Sequence, residues 1–114
     1  MGRALGEFEQ LILFALLELE DAAYGASLGR AIEERTGRRV AAGAIYTALD
    51  RRAVRGLVTA RVGEPTPERG GRRRKYYTLE PAGALELNRS VEVLRSMSEG
   101  LLPKLEILSG GSEG

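Results

Sequence analysis

Apolar positions from Glu7 to Glu20, EFEQLILFALLELE, recur with the period of a helix. Phe8, Leu11, Ile12, Ala15, Leu16 and Leu19 share one stripe, and neither glycine nor proline interrupts it. Leu13, Phe14 and Leu17 lie off that stripe, so the helix is apolar nearly all round and needs cover on two sides. In so small a domain the second cover is expected from another subunit. The stretch DAAYGASLGRAIEERTG predicts a second helix, with Ala26, Leu28, Ala31 and Ile32 apolar, Glu33, Glu34 and Arg35 exposed, and Gly37 as its stop. A third helix, through AAGAIYTALDRRAVRG, turns Ile45, Leu49 and Ala53 inward at spacings of four and ends at Gly56.

After Gly56 the period falls to two. LVTARV alternates, with Val58, Ala60 and Val62 on one face and Thr59 and Arg61 on the other. GEPTPERGGR follows with turn residues, and RKYYTL resumes strand chemistry, so two strands form a hairpin with a long tip. Alternation sends Tyr77 with Leu79 to the core face and Tyr76 with Arg74 and Thr78 to the other. Pro81 sits at a first helical position and opens a final helix along which Leu87, Val91, Leu94 and Leu101 recur, with Met97 beside them, as a dimerisation seam. The predicted fold is mainly α with a small antiparallel β-hairpin: a winged helix-turn-helix over residues 1–79 and a C-terminal dimerisation helix over 80–108. A glycine- and serine-rich tail over 109–114 is expected to fray.

Composition narrows the chemistry. The chain of 114 residues has no cysteine and no histidine, which removes thiol catalysis, imidazole acid-base catalysis and histidine metal sites. Its acidic residues are scattered singly along helical patterns, as solvated helix faces are, and neither GxxxxGK[ST] nor GxGxxG occurs among the glycines. We therefore expect no catalysis, no cofactor and no metal. No apolar run is long enough to span a bilayer, and the first ten residues lack the order of a signal peptide, so a cytoplasmic protein with no membrane association is expected.

Net charge is +1, but it is segregated. From Arg51 to Lys75 nine basic residues face two glutamates, a net of plus seven, whereas from Glu80 onward three basic residues face six glutamates. Such asymmetry points to a polyanionic partner for the middle segment, and in this topology that partner is double-stranded DNA. The third helix can enter the major groove, with Gly43, Tyr46, Thr47, Asp50 and Arg51 outward as candidates for readout. For Tyr46 the competing reading is packing between helix and hairpin. Arg52 and Arg55 are expected to solvate the rear of the helix. At the hairpin tip Arg69, Gly70, Gly71, Arg72 and Arg73 can meet phosphates, the cations neutralising them and the glycines allowing close approach. The alternative for this basic loop is a solvated guard against edge pairing. Tyr76 either lines the DNA side or packs on the wing.

Five segments in register resemble the PadR family of bacterial transcriptional regulators: GEFEQLILFALLEL, AYGASLGRAIEERTG, GAIYTALDR, RGGRRRKYYTL and EPAG. The resemblance covers nearly the whole chain, from about Gly6 to Leu101. It implies a homodimeric, repressor-type winged helix whose C-terminal helix packs on the partner's first helix and whose wings span a palindromic operator. It also makes Gly43, Tyr46, Arg72, Arg73 and Lys75 the positions that match the family's DNA-facing motifs; Gly71 and Tyr76 are DNA-binding candidates from their place on the wing alone. The dimer surface is expected from Phe8, Leu13, Phe14 and Leu17 on the first helix and Leu87, Val91, Leu94, Met97 and Leu101 on the last. Two departures stand out. Arg52 and Ala53 replace the usual Leu-Glu, so that Arg52 either snorkels or cedes its packing to Ala53 and Val54; and Glu80, a poorer N-cap, replaces the usual threonine. Phe8, Phe14 and Met97 are better explained as packing residues than as an effector site, so no small-molecule effector is assigned. The rival reading is an interaction module whose basic face docks an acidic protein.

Overall fold

The computed structural model describes residues 5–65 and 73–110. Its elements, in chain order, are α1 (Glu7–Leu19), a 3-10 turn (Glu20–Ala22), α2 (Gly25–Thr36), α3 (Ala42–Val54), β1 (Val58–Val62), β2 (Lys75–Leu79), α4 (Pro81–Ser98) and α5 (Leu102–Leu108). Each boundary has a local cause. At the start of α1 the Glu9 carboxylate accepts the Gly6 N–H at 2.7 Å, and Glu7 and Glu9 place negative charge at the positive end of the helix. Ser27 does similar work for α2, accepting the Tyr24 N–H at 2.9 Å while its hydroxyl donates to the Ala22 carbonyl at 2.7 Å. Gly37 closes α2 at φ 78°, with its N–H donating to the Glu33 carbonyl at 2.8 Å.

Three helices and the hairpin enclose one core. Ile12, Leu13 and Leu16 of α1 meet Leu28 and Ile32 of α2, Ile45 and Leu49 of α3, Val58 and Tyr77 of the hairpin and Leu87 of α4. Leu13 was expected at a dimer surface; at 1% exposure it belongs to the protomer's own interior, as does Leu87 at 4%. The apolar girdle of α1 is thus met on most sides within one chain, and only Phe14 and Leu17 are left clearly outside. Phe8 is half-buried against the same core.

The hairpin pairs antiparallel in the register Val58↔Leu79, Ala60↔Tyr77, Val62↔Lys75. Tyr77 is buried and Tyr76 lies on the opposite face, following the alternation. A further bridge joins Tyr24 to Tyr76, and the Tyr77 N–H donates to the Ala23 carbonyl at 2.9 Å. The segment just before α2 therefore acts as a third strand position, which fixes the wing to the helix-turn-helix.

The last helix departs from the single seam predicted for it. Gly83 and Leu87 bury the first turns of α4 against the body, and beyond them its side chains are mostly exposed. A radius of gyration of 16.7 Å, against about 13 Å for a compact chain of this length, reflects that projecting arm. The helix stops at Ser98, Gly100 turns the chain at φ 76°, and α5 starts afresh beside Pro103. Leu101 consequently sits in the break and does not continue the Leu87–Val91–Leu94 line. Ser109 donates its N–H to the Leu105 carbonyl at the end of α5, while the rest of the predicted tail from 111 lies outside the described residues. Among the described residues no helix is long and apolar enough to cross a membrane.

Candidate nucleic-acid interface

Helical phase separates the two sides of α3. Ile45, Ala48 and Leu49 are buried, and Gly43, Thr47, Asp50 and Arg51 are exposed. Gly43, Thr47 and Arg51 fall at successive steps of four and so form one outward stripe. Arg51 makes no ion pair or hydrogen bond among the described residues, which leaves its guanidinium available to an external anion.

Tyr46 follows the packing alternative. Its ring lies 6.0 Å from that of Tyr77, and its hydroxyl accepts the Gly25 N–H at 3.2 Å. A Cβ at position 25 would stand 2.6 Å from the Tyr46 ring, so glycine is what lets α3 come this close to the start of α2.

Asp50 is turned toward the hairpin. Its Oδ1 accepts the Tyr77 hydroxyl at 3.0 Å and faces Lys75 Nζ at 3.4 Å. The carboxylate is committed to the hairpin and holds α3 against β2. Burial, followed by the bond to Asp50, pushes the Tyr77 hydroxyl far above its ordinary range, so it remains a donor. Lys75 lies over the Tyr77 ring at 5.5 Å, turned toward α3.

The rear cations are also not simply solvated. Arg52 lies on the inward stripe with Ile45 and Leu49, and its Nη2 meets Glu9 Oε2 on α1 at 3.1 Å, the two side chains being 14% and 21% exposed. Arg55 meets Glu86 of α4 at 2.9 Å. The glutamate before α4 finds a use other than capping: Glu80 accepts the Thr59 hydroxyl at 2.8 Å and bonds no backbone of its own helix start.

On the wing, Tyr76 packs and does not stand free. Its ring meets Tyr24 edge-on at 5.6 Å, and the Arg61 guanidinium covers it at 4.5 Å. Arg74 covers the Tyr24 ring at 4.0 Å, and Arg73 is exposed. Gly71 and Arg72, with Arg69 and Gly70, lie outside the described residues. Tyr24, Arg61 and Arg74 were absent from the sequence-based candidates. The alternation that paired Arg74 with Tyr76 contained the signal, but the approach of Tyr24 across the sheet did not show in local periodicity.

Away from this face, Leu94, Met97 and Leu101 are 60%, 71% and 47% exposed, with Val91 half-buried. Phe14 and Leu17 line an apolar groove of about 500 Å³ between α1 and α2, with Leu11, Ala31 and Ile32 in its wall.

A helix-turn-helix with a paired wing and, on its third helix, an exposed arginine with no partner among the described residues has the form of a winged-helix transcriptional regulator. Comparison with known proteins places it further. Residues 13–89 match the model of the transcriptional regulator PadR-like family, and the chain belongs to that family. It is accordingly a DNA-binding regulator and not an enzyme. A PadR family transcription regulator from Clostridium difficile R20291 is 27% identical with a TM-score of 0.69, over 88% of this chain and 99% of that one. A PadR-like transcription factor from Bacteroides fragilis is 26% identical with a TM-score of 0.67, over 81% and 84%. A transcriptional regulator from Clostridium thermocellum is 25% identical with a TM-score of 0.66, over 80% and 85%. Comparison with curated protein sequences gave no match.

Proposed function

We propose that the protein is a homodimeric, repressor-type regulator that reads a palindromic operator, with α3 in the major groove and the basic wing on flanking backbone. The carrying observation is the contrast along α3. Arg52 and Arg55 are paired with carboxylates of α1 and α4, whereas Arg51 is unpaired on the same exposed stripe as Gly43 and Thr47. An unpaired arginine can reach a guanine edge or a phosphate, and the Thr47 methyl can meet a thymine. Lys75 and the exposed Arg73 add cations from the wing, and the sequence places Arg72 next to them in the chain.

Dimerisation is supported by the surface each protomer leaves uncovered. Leu94 and Met97 on the projecting part of α4 complement Phe14 and Leu17 on α1, so two copies can cover each other reciprocally, and half-sites about 34 Å apart would follow from such a two-fold pair. Sedimentation of a Leu94→Glu, Met97→Glu variant is expected to give a monomer.

The central test is fluorescence anisotropy with duplexes from upstream of the protein's own gene and with scrambled duplexes, across a salt series. Selective, salt-steep binding is expected, with Arg51→Ala eroding selectivity and Arg72→Ala with Arg73→Ala weakening all duplexes. Equal, weak binding to every duplex by a folded dimer would overturn the operator reading in favour of an acidic protein partner. Repression itself is read by transcription from a template carrying the selected fragment.

A further inference from the structure

Tyr24, the residue before α2, gathers two arginines that no carboxylate among the described residues pairs with. Arg30, one and a half turns into α2, donates from Nη2 to the Tyr24 hydroxyl at 3.3 Å. Arg74, at the base of the wing, lies flat over the same ring at 4.0 Å. Its Nη1 reaches the Tyr76 hydroxyl at 3.5 Å, at the limit of a hydrogen bond, and its Nε is buried with no partner among the described residues. The nearby carboxylates, Asp21 and Glu64, line the same hollow as Arg61 and Arg74, and among the described residues neither pairs with Arg30 or Arg74. Two guanidinium groups thus flank one tyrosine where α2, α3 and the wing converge. The positive end of α2 adds to the same field.

We infer that Arg30 and Arg74, arranged about Tyr24, clamp one backbone phosphate of duplex DNA and thereby fix the angle of the wing to the recognition helix. Stacking on tyrosine holds Arg74 in place before binding, so little side-chain freedom is lost when the phosphate arrives, and guanidinium groups suit two-point contact with its oxygens. The clamp rests on the DNA-binding reading and adds to it a contact that carries register and no sequence information.

The experiment is the salt dependence of anisotropy on selected and scrambled duplexes for the wild type, Arg30→Ala, Arg74→Ala, the double variant and Arg74→Lys, each checked for folding by circular dichroism. Each alanine variant is expected to weaken both duplexes alike, by about tenfold, as loss of a charged hydrogen bond does. Because both arginines share one phosphate, the double variant should lower the slope of log affinity against log salt by no more than about 1, where two separate phosphates would lower it by about 2. Arg74→Lys should restore the slope while binding more weakly than wild type. A wild-type slope or a loss of about 2 in the double variant, or wild-type affinity in either single alanine variant, would overturn the clamp. Wild-type protein that binds no duplex would instead overturn the functional reading itself. If Arg74→Ala does not fold, Arg30→Ala, on the exposed face of α2, decides by affinity: an equal loss of about tenfold on both duplexes supports the clamp, and wild-type affinity overturns it.

Discussion

Replacing Glu9 by glutamine should destabilise the fold by about 2–3 kcal/mol, although the two side chains have nearly the same shape. Glu9 uses both oxygens: Oε1 accepts the Gly6 N–H at 2.7 Å and Oε2 accepts Arg52 Nη2 at 3.1 Å. Glutamine has one carbonyl oxygen, so it can cap α1 or meet Arg52 but cannot do both. Either way the Arg52 charge, already burying an unpaired Nε, loses its compensating carboxylate. Removing one member of a fully buried pair costs about 3–5 kcal/mol, while exposed pairs contribute about 0–1 kcal/mol. With side chains 14% and 21% exposed, this pair stands nearer the buried limit. Against a total stability of about 5–15 kcal/mol the loss is large.

The companion variant separates charge from packing. Glu9→Gln combined with Arg52→Leu returns an apolar group to the inward stripe and leaves the glutamine oxygen free to cap, so it should regain or exceed wild-type stability, as apolar replacement of buried ion pairs often does. Urea unfolding followed by far-ultraviolet circular dichroism, at one fixed protomer concentration so that any association is held constant, supplies both numbers. A Glu9→Gln variant within about 0.5 kcal/mol of wild type would refute the reasoning, since it would place the pair with ordinary surface contacts. A double variant as unstable as the single would refute it from the other side.

Gly83→Ala should cost about 1–3 kcal/mol in the same urea assay despite alanine's better helix propensity, because its Cβ would lie 2.3 Å from the Leu57 carbonyl oxygen, a backbone atom that cannot step aside. Tyr77→Phe should cost about 1 kcal/mol near neutral pH through loss of the bond to Asp50. The raised Tyr77 ionisation also has a pH signature: the native state keeps its proton where the unfolded chain releases it from about pH 10, so stability is full below that pH and declines above it. Thermal melts from pH 8 to 11 should show a shallower decline in the phenylalanine variant. Gly43→Ala should leave the fold unchanged or more stable, since a Cβ there meets nothing within 4 Å, yet weaken duplex binding in anisotropy because the added methyl occupies the face proposed to meet DNA.

Periodicity carried the element order well because each helix is bounded by residues whose local physics is strong. Gly37 and Gly56 both take positive φ where stops were expected, at 78° and 77°, and Pro81 opens α4. The break after Ser98 was less legible. Apolar recurrence runs on through Leu101 and Leu105, and only the adjacency of Gly100 and Pro103 marked the interruption. Charge was legible as a total and not as a set of roles. Arg51, Arg52 and Arg55 look alike in sequence, yet a step of about 100° per residue sends Arg51 outward, Arg52 into the stripe facing α1 and Arg55 toward α4. The long-range carboxylates that receive them, Glu9 and Glu86, lie 43 and 31 residues away, beyond the reach of any local pattern.

Those tertiary partners explain how a small recognition helix with no side-chain cap at its start can present a fixed face. Four neighbours hold it: α1 through Arg52 and Glu9, α4 through Arg55 and Glu86, β2 through Asp50 with Tyr77, and α2 through Tyr46 with Gly25. The helix is anchored by its own polar side chains on every side except the Gly43–Thr47–Arg51 stripe. Asp50, the residue on this helix most able to repel a phosphate, has its charge drawn inward by Lys75 and the Tyr77 hydroxyl. A displacement of α1 or α4 on pairing with a second subunit would therefore be transmitted to α3 through ion pairs as well as through packing. In this chain Arg52, which departs from the family's apolar pattern, ties α3 to α1, and Arg55 ties it to α4, so α3 is linked to both helices by charge.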